Sequence, residues 1–235
     1  MDIISVLEGK PFMTEFGIGG YSTVVLIRDE DKVILYDCGS RGCALQLKDG
    51  LARAEVTPQE VTHVVLSHLH FDHTGNLPLF KGAKVLMSRT EWDAAQEEPD
   101  EWHCRATCEY IKNCCDVSYV SEGTKITDSV TVIELPGHTP GLIGLRCGED
   151  TILCSDAVKN RFELWENIPL MTVDPEASRR SAERIRREAV FIYPGHDTVL
   201  DMRHPINKDP IEFNLRFADG KILPVRRPAS DRTKE

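Results

Sequence analysis

Three imidazoles and a carboxylate fall within six positions of the segment Ser67-His68-Leu69-His70-Phe71-Asp72-His73-Thr74-Gly75, directly after the apolar run Val64-Val65-Leu66. Imidazole nitrogen suits zinc, iron and related ions, and a carboxylate adds a hard oxygen donor. His68 and His70 are two apart, so extended chain projects both to one side. Asp72 and His73 follow where the chain turns towards Gly75. One ion can take the first pair and a second ion the next pair. The plain alternative is a surface turn that happens to be histidine-rich, but nothing in an ordinary core or turn asks for this density of donors at the end of a buried run.

A dinuclear site needs further ligands, and three later segments offer them. Val130-Thr131-Val132-Ile133-Glu134-Leu135 runs into Pro136-Gly137-His138, Thr151-Ile152-Leu153-Cys154-Ser155 into Asp156, and Ala189-Val190-Phe191-Ile192-Tyr193 into Pro194-Gly195-His196. Each candidate follows an apolar, strand-like run, and α/β architectures place their sites at strand ends of this kind. Taken singly, such a residue is more often structural. It is the joint pattern that points to metal.

The series His68-x-His70-x-Asp72-His73, then His138, Asp156 and His196, with Asp37-Cys38-Gly39 upstream, resembles the motif series of the metallo-β-lactamase superfamily over about residues 15 to 200. The resemblance implies a four-layer αβ/βα sandwich, an α/β fold class, with a dinuclear centre at one edge. It implies that His68, His70 and His138 hold the first ion, that Asp72, His73 and His196 hold the second, and that Asp156 bridges them. Asp37 matches the aspartate that orients a ligand rather than binding metal. Zinc is the expected ion, with iron, manganese or cobalt open to the same donors.

These donors require a scaffold of alternating strands and helices. Tyr21 to Ile27 and Lys32 to Tyr36 read as an antiparallel hairpin around the turn Arg28-Asp29-Glu30-Asp31. Helices are predicted over Ala44 to Ala54 and Arg89 to Glu97, the latter ended by Pro99, and strands over Ala83 to Met87 and near 117 to 120, 130 to 135, 142 to 147, 151 to 155 and 189 to 193. Asp174 as N-cap and Pro175 in the first turn start another helix, with Ala177, Ser181 and Ile185 inward and Arg179, Arg180, Arg184, Arg186 and Arg187 on a solvated face balanced by glutamates. After Asp197, four prolines, Pro205, Pro210, Pro224 and Pro228, divide the chain into short pieces, and the last ten residues are expected to be mobile. The glycines of Phe16-Gly17-Ile18-Gly19-Gly20 suit a tight turn, and no phosphate-cradling pattern follows them.

At 235 residues, with 41% hydrophobic and 28% charged residues, the chain is expected to form a single domain over 1–235. No run approaches membrane-spanning length, so no membrane partner is expected. The stretch Ile3 to Leu7 is too short for a signal peptide, and a cytoplasmic location is the expectation. A formal charge of −10 argues against a broad nucleic-acid surface. A homodimer stays open. The eight cysteines read as free thiols, most of them small buried filler. If 101 to 112 were helical, Cys104 and Cys108 would share one face at i, i+4 and Cys115 would approach them, which leaves a structural zinc or redox pair in the cluster His103-Cys104, Cys108 and Cys114-Cys115 as the alternative to packing.

Two cations sharing a carboxylate also have room for a bridging hydroxide, which would attack a carbonyl or phosphoryl centre while the ions stabilise the oxygens. Asp72 would shuttle a proton as well as bind metal. No signal peptide and the presence of Asp156 count against antibiotic hydrolysis, and only 39 residues follow His196, too few for the glyoxalase II substrate domain. The set looks most like the N-acyl homoserine lactonase branch. That branch often carries a tyrosine three residues after the bridging aspartate, where this chain has Lys159. The lysine would stabilise an oxyanion, hold a substrate carboxylate, or simply face solvent. Phe162 and Trp165 would line an acyl pocket or pack in the core. The expected activity is hydrolysis of a small-molecule lactone or related ester. A phosphodiesterase or RNA-processing hydrolase is the second reading, since Gly75 to Phe80 resembles small proteins of the fold proposed to act on RNA, and a non-catalytic metal- or redox-binding protein is the third.

Overall fold

The structure is a computed structural model that describes residues 1–15, 17–204, 210–216 and 218–227, with the side chains of Thr14 and Ile18 left aside. In chain order the strands are β1 (Asp2–Leu7), β2 (Met13–Thr14), β3 (Gly17–Ile18), β4 (Val24–Asp29), β5 (Lys32–Tyr36), β6 (His63–Val65), β7 (Lys84–Ser88), β8 (Asp116–Val120), β9 (Val130–Glu134), β10 (Ile143–Cys147), β11 (Thr151–Ser155), β12 (Phe191–Pro194), β13 (Leu200–Asp201), β14 (Ile211–Arg216) and β15 (Ile222–Arg227). The helices are α1 (Ala44–Arg53), α2 (Phe71–Thr74), α3 (Arg89–Glu97), α4 (Arg105–Cys114), α5 (Arg161–Glu166) and α6 (Pro175–Glu188).

Two sheets carry the architecture, one ordered β1-β4-β5-β6-β7-β8 and the other β13-β12-β11-β10-β9. Period-2 alternation decides which face each side chain takes. Val25 and Ile27 of β4, Ile34 and Tyr36 of β5, and Val65 of β6 meet Val132, Ile143, Leu145 and Leu153 of the second sheet in the central core. Val24, Leu26, Leu35, Val64 and Leu66 face the other way, onto Leu47 and Leu51 of α1, Ala95 of α3 and Ile111 of α4. Behind the second sheet, Ile133, Ile152 and Cys154 pack on Leu164 of α5 and Ala182 and Ile185 of α6. Three cores between four layers make the αβ/βα sandwich. The β6 run is apolar on both faces because a helix layer and a second sheet cover it.

Several boundaries differ from the sequence reading. The first hairpin pairs as far as Asp29 with Lys32, so its loop is Glu30-Asp31, and Asp29 stays in the strand because Thr127 Oγ1 donates to its buried carboxylate. Ile3 to Leu7, read above only for targeting, pairs with β4 at the edge of the first sheet. The proline-rich tail is not merely short pieces: β14 and β15 form a hairpin of six residue pairs, with Pro224 opposite Asn214. Proline is tolerated there because each strand of a two-stranded ribbon has a free edge. Pro205, Pro228 and the tail from residue 228 on lie outside the described residues. α6 starts as expected, Asp174 accepting from the Glu176 and Ala177 N–H groups, and its arginines pair with acids, Arg180 with Glu176 on the exposed face and the half-buried Arg184 with Glu122. Among the described residues, no helix is long and apolar enough to cross a membrane.

Candidate metal centre

Parallel pairing of β11 with β12, with β9 two strands away in the same direction, puts the loops after all three at one end of the second sheet. Asp156, His196 and His138 sit in those loops. Facing them, the chain leaves β6 and enters α2 through His68 and His70, and α2 carries Asp72 and His73. All seven predicted donors therefore converge in one place, and all are largely buried. Four overlapping sets have their donor atoms within 4.8 Å of one another: His68, His70 and His138; His68, His73 and Asp156; Asp72, His73 and His196; and, at the margin, His70, Asp100 and His103.

Each imidazole is held by one nitrogen and aims the other inward. His73 Nδ1 donates to Asp37 (2.8 Å), His138 Nδ1 to the Met171 carbonyl (2.7 Å), His196 Nδ1 to the Tyr21 carbonyl (2.9 Å), and His70 Nε2 to Asp100 (3.1 Å). Ser67 Oγ donates to Asp37 and so accepts from His68 Nδ1. These acceptors fix the tautomers, and the inward nitrogens are left as lone pairs. His70 Nδ1 then faces His138 Nε2 at 3.1 Å with no proton between them. His73 Nε2 and His196 Nε2 each lie 3.3 Å from Asp156 Oδ1, and His138 Nε2 lies 3.4 Å from Asp156 Oδ2. His68 Nε2, His73 Nε2 and Asp156 Oδ1 are buried with no hydrogen-bond partner. Lone pairs aimed at lone pairs in a desolvated site repel one another unless a cation lies between them. The donor set therefore fits divalent ions, and the two oxygens of Asp156 turn one to each set.

The electrostatics agree. Burial pushes His68 and His138 well below the ordinary imidazole value, helped by neighbouring imidazoles for His68 and by Lys159 for His138. Burial acts the same way on His73 and His196, yet Asp72 and Asp156 outweigh it and raise both. Asp156 is raised by burial, but His196 and His73 hold it well below the carboxylate range. The field calls for positive charge beside Asp156 and keeps the first histidines neutral, the form in which imidazole ligates.

Supports around the donors include Asp37, named above from the motif resemblance, and residues that sequence reasoning missed. Asp37, at φ 61° and nearly inaccessible, accepts from Ser67 N–H, Ser67 Oγ, Ser155 Oγ and His73. Glu91 of α3 accepts from Leu69 N–H with one oxygen and Gly141 N–H with the other, tying the 68–70 loop to the 138–141 loop. Asp100 and His103 adjoin His70. Neither Glu91 nor Asp100 belongs to a motif, and only an acid at a buried helical position marked Glu91. Arg161 forks onto Asp197 and steadies the backbone next to His196.

Over the donors lies a cavity of about 350 Å³, walled by Phe12, Met13, Phe71, Trp102, Leu170 and Met171, with Lys159 and Arg227 as its cations. Phe162 and Trp165 do not line it: Phe162 is buried under the Arg227 guanidinium and Trp165 is 58% exposed, because α5 turns its buried face to the core. Lys159 is not a free surface lysine, since Nζ donates to the Leu170 carbonyl at 2.7 Å and lies 3.6 Å from Glu163. α4 starts at Arg105 rather than 101, with Cys104 as its N-cap, and none of the donor groups among the described residues contains a cysteine.

The description of the metallo-beta-lactamase superfamily matches residues 17–196. N-acyl homoserine lactonase AiiA from Bacillus thuringiensis subsp. kurstaki is 28% identical over 159 residues, 63% of this chain and 60% of that protein, so the alignment spans less than two thirds of that relative's length. Metallo-beta-lactamase domain-containing protein 1 of Xenopus laevis is 28% identical over 209 residues, 82% of each chain. A solved structure of Bacillus thuringiensis AiiA, with N-decanoyl-L-homoserine bound at its active site, shares the fold with a TM-score of 0.66 and 20% identity over 83% of this chain and 92% of that one. With the matched stretch holding all seven donors and every strand of the two sheets except the edge strands β1 and β13, this chain belongs to the metallo-beta-lactamase superfamily.

Proposed function

We propose that this hydrolase, read as one domain over 1–235, opens lactones or related small esters at a dinuclear metal centre. The observation that carries the reading is the convergence of unprotonated nitrogens and carboxylate oxygens beneath a small apolar cavity. His68, His70 and His138 would hold one ion and Asp72, His73 and His196 the other, with Asp156 between them. Zinc is the first choice for these donors, with iron, manganese or cobalt as alternatives, and two such ions would supply an acidified water and Lewis acidity towards a carbonyl oxygen.

The chain's own groups do the rest. Asp72, which lines the cavity, has Oδ2 3.4 Å from His196 Nε2 and is placed to hold a proton during ring opening. The Lys159 ammonium, tethered to the Leu170 carbonyl at the cavity wall, offers positive charge to an oxygen that turns anionic. Phe12, Phe71, Trp102 and Leu170 exclude water and accept an apolar acyl group. A cavity of about 350 Å³ in a chain of net charge −10 favours a small uncharged substrate over a polyanion. The lactonase relative and its acyl-homoserine complex point the same way.

Metal analysis followed by a panel of lactones, thioesters, phosphodiesters and β-lactams tests this. Lactones are expected to turn over fastest, and protein carrying two ions that opens none of them sinks the lactonase reading. Lys159→Met is expected to lower kcat about 10²-fold with both metal equivalents kept; unchanged kcat removes Lys159 from the reaction.

A further inference from the structure

Residues 100 to 103 lie outside the family's motif series yet dock directly on the first donor set. His103 bridges back to His70 as an isolated antiparallel pair, the Phe71 N–H donates to the Trp102 carbonyl at 2.9 Å, and the Phe71 and Trp102 rings stack with centroids 6.2 Å apart. Within this strap the Asp100 carboxylate is fully committed. Oδ1 accepts from the Trp102 N–H (2.8 Å) and lies 2.8 Å from His103 Nδ1, which also takes the Asp100 N–H at 3.1 Å, and this leaves Oδ2 for His70 Nε2 at 3.1 Å.

We propose that Asp100 is the positioning residue of the first donor set: clamped by His103 and the Trp102 N–H, it holds His70 in the tautomer and ring plane that present Nδ1 to the ion. This rests on the metal-centre reading above. An imidazole can protonate at either nitrogen, and the one that does so is lost as a donor. A carboxylate on Nε2 settles the choice and raises the basicity of Nδ1. Asp100 alone would do this poorly, because its side chain is 33% exposed and free to turn. The two contacts on Oδ1 remove that freedom. Among the described residues no other group pairs with His70 Nε2: its Nδ1 faces His138 Nε2 and its ring edges abut His68 and His103.

The test is a competition titration of metal-free protein with zinc and a chromophoric chelator, alongside the visible spectrum of the cobalt-loaded form. Wild type, Asp100→Ala, Asp100→Asn and the exposed-site control Glu101→Gln are compared. Asp100→Ala is expected to weaken one metal equivalent about 10- to 100-fold, leave the other unchanged and alter the cobalt bands. Asp100→Asn keeps its Oδ1 on the Trp102 N–H and turns an amide N–H towards His70 Nε2, so it should restore none of the loss, and Glu101→Gln should match wild type. Wild-type affinities in Asp100→Ala overturn the proposal. So does an equal loss at both equivalents together with a lower urea midpoint of the metal-free variant, the signature of a strap that only supports the fold. A wild type that takes up no divalent ion overturns the metal reading itself, and this proposal with it.

Discussion

Gly195→Ala strikes the centre without touching a donor. A Cβ at this position would fall 1.9 Å from Asp156 Oδ1 and 3.0 Å from both Asp156 Cγ and the Ser155 carbonyl carbon. The backbone cannot retreat cheaply, because the Gly195 N–H donates to Ser155 and its carbonyl accepts from the Thr23 N–H. Asp156 must therefore yield by roughly 1 Å, and a misplacement of that size at reacting groups costs about 10²-fold in rate. The same overpacking should cost the fold only about 1–3 kcal/mol. The assay pairs metal counting with lactone turnover and a urea melt of the metal-free protein, using Gly42→Ala, where nothing lies within 4 Å of the added carbon, as control. Expected are loss of about one metal equivalent, a drop in turnover of about 10²-fold and a folded protein. Two tightly held equivalents with turnover within about threefold of wild type would refute Asp156 as the shared donor.

Asp37→Asn replaces an acceptor of His73 Nδ1–H with an amide that favours the opposite tautomer. One metal equivalent should weaken about 10- to 100-fold, read by chelator competition. Phe12, which packs on Phe213 with centroids 5.1 Å apart, forms cavity wall but no donor. Phe12→Ala should raise KM for long acyl chains more than for short ones and leave the metal count at wild type. Away from the site, partial burial would raise the Glu188 carboxyl, but Arg187, Arg184 and Arg146 hold it at about 2 against an ordinary 4.5. The folded value lies below the unfolded one, so the stability it contributes is complete above pH 4.5 and drains as pH falls towards 2. Glu188→Gln should flatten that part of the acid-unfolding curve, and identical curves would discount the cluster.

The donor series was readable because each member closes an apolar run, and strand ends are local features. The four-layer order came with the family resemblance, and the run Val64-Val65-Leu66, read as a strand covered on both faces, agrees with it. What escaped the sequence depends on contacts between distant connections. Asp100 meets His70 across 30 positions, and Glu91 bridges Leu69 and Gly141, with nothing periodic to announce either. Phe162 and Trp165 were open to the cavity wall or the core; helix packing buried the first and exposed the second, and the wall comes from Phe12, Trp102 and Leu170 in three separate loops. The β14–β15 hairpin was hidden by its proline, which forbids only a paired N–H and leaves a free-edge position available.

The candidate donors sit at strand ends, whereas much of the cavity rim comes from linking segments: the turn region near Phe12, the Trp102 strap and the Leu170 loop. Such segments tolerate changes of length and composition that a paired strand does not. Redesign for a different clientele can therefore be confined to three short stretches of chain, while the donor cluster beneath is left in place.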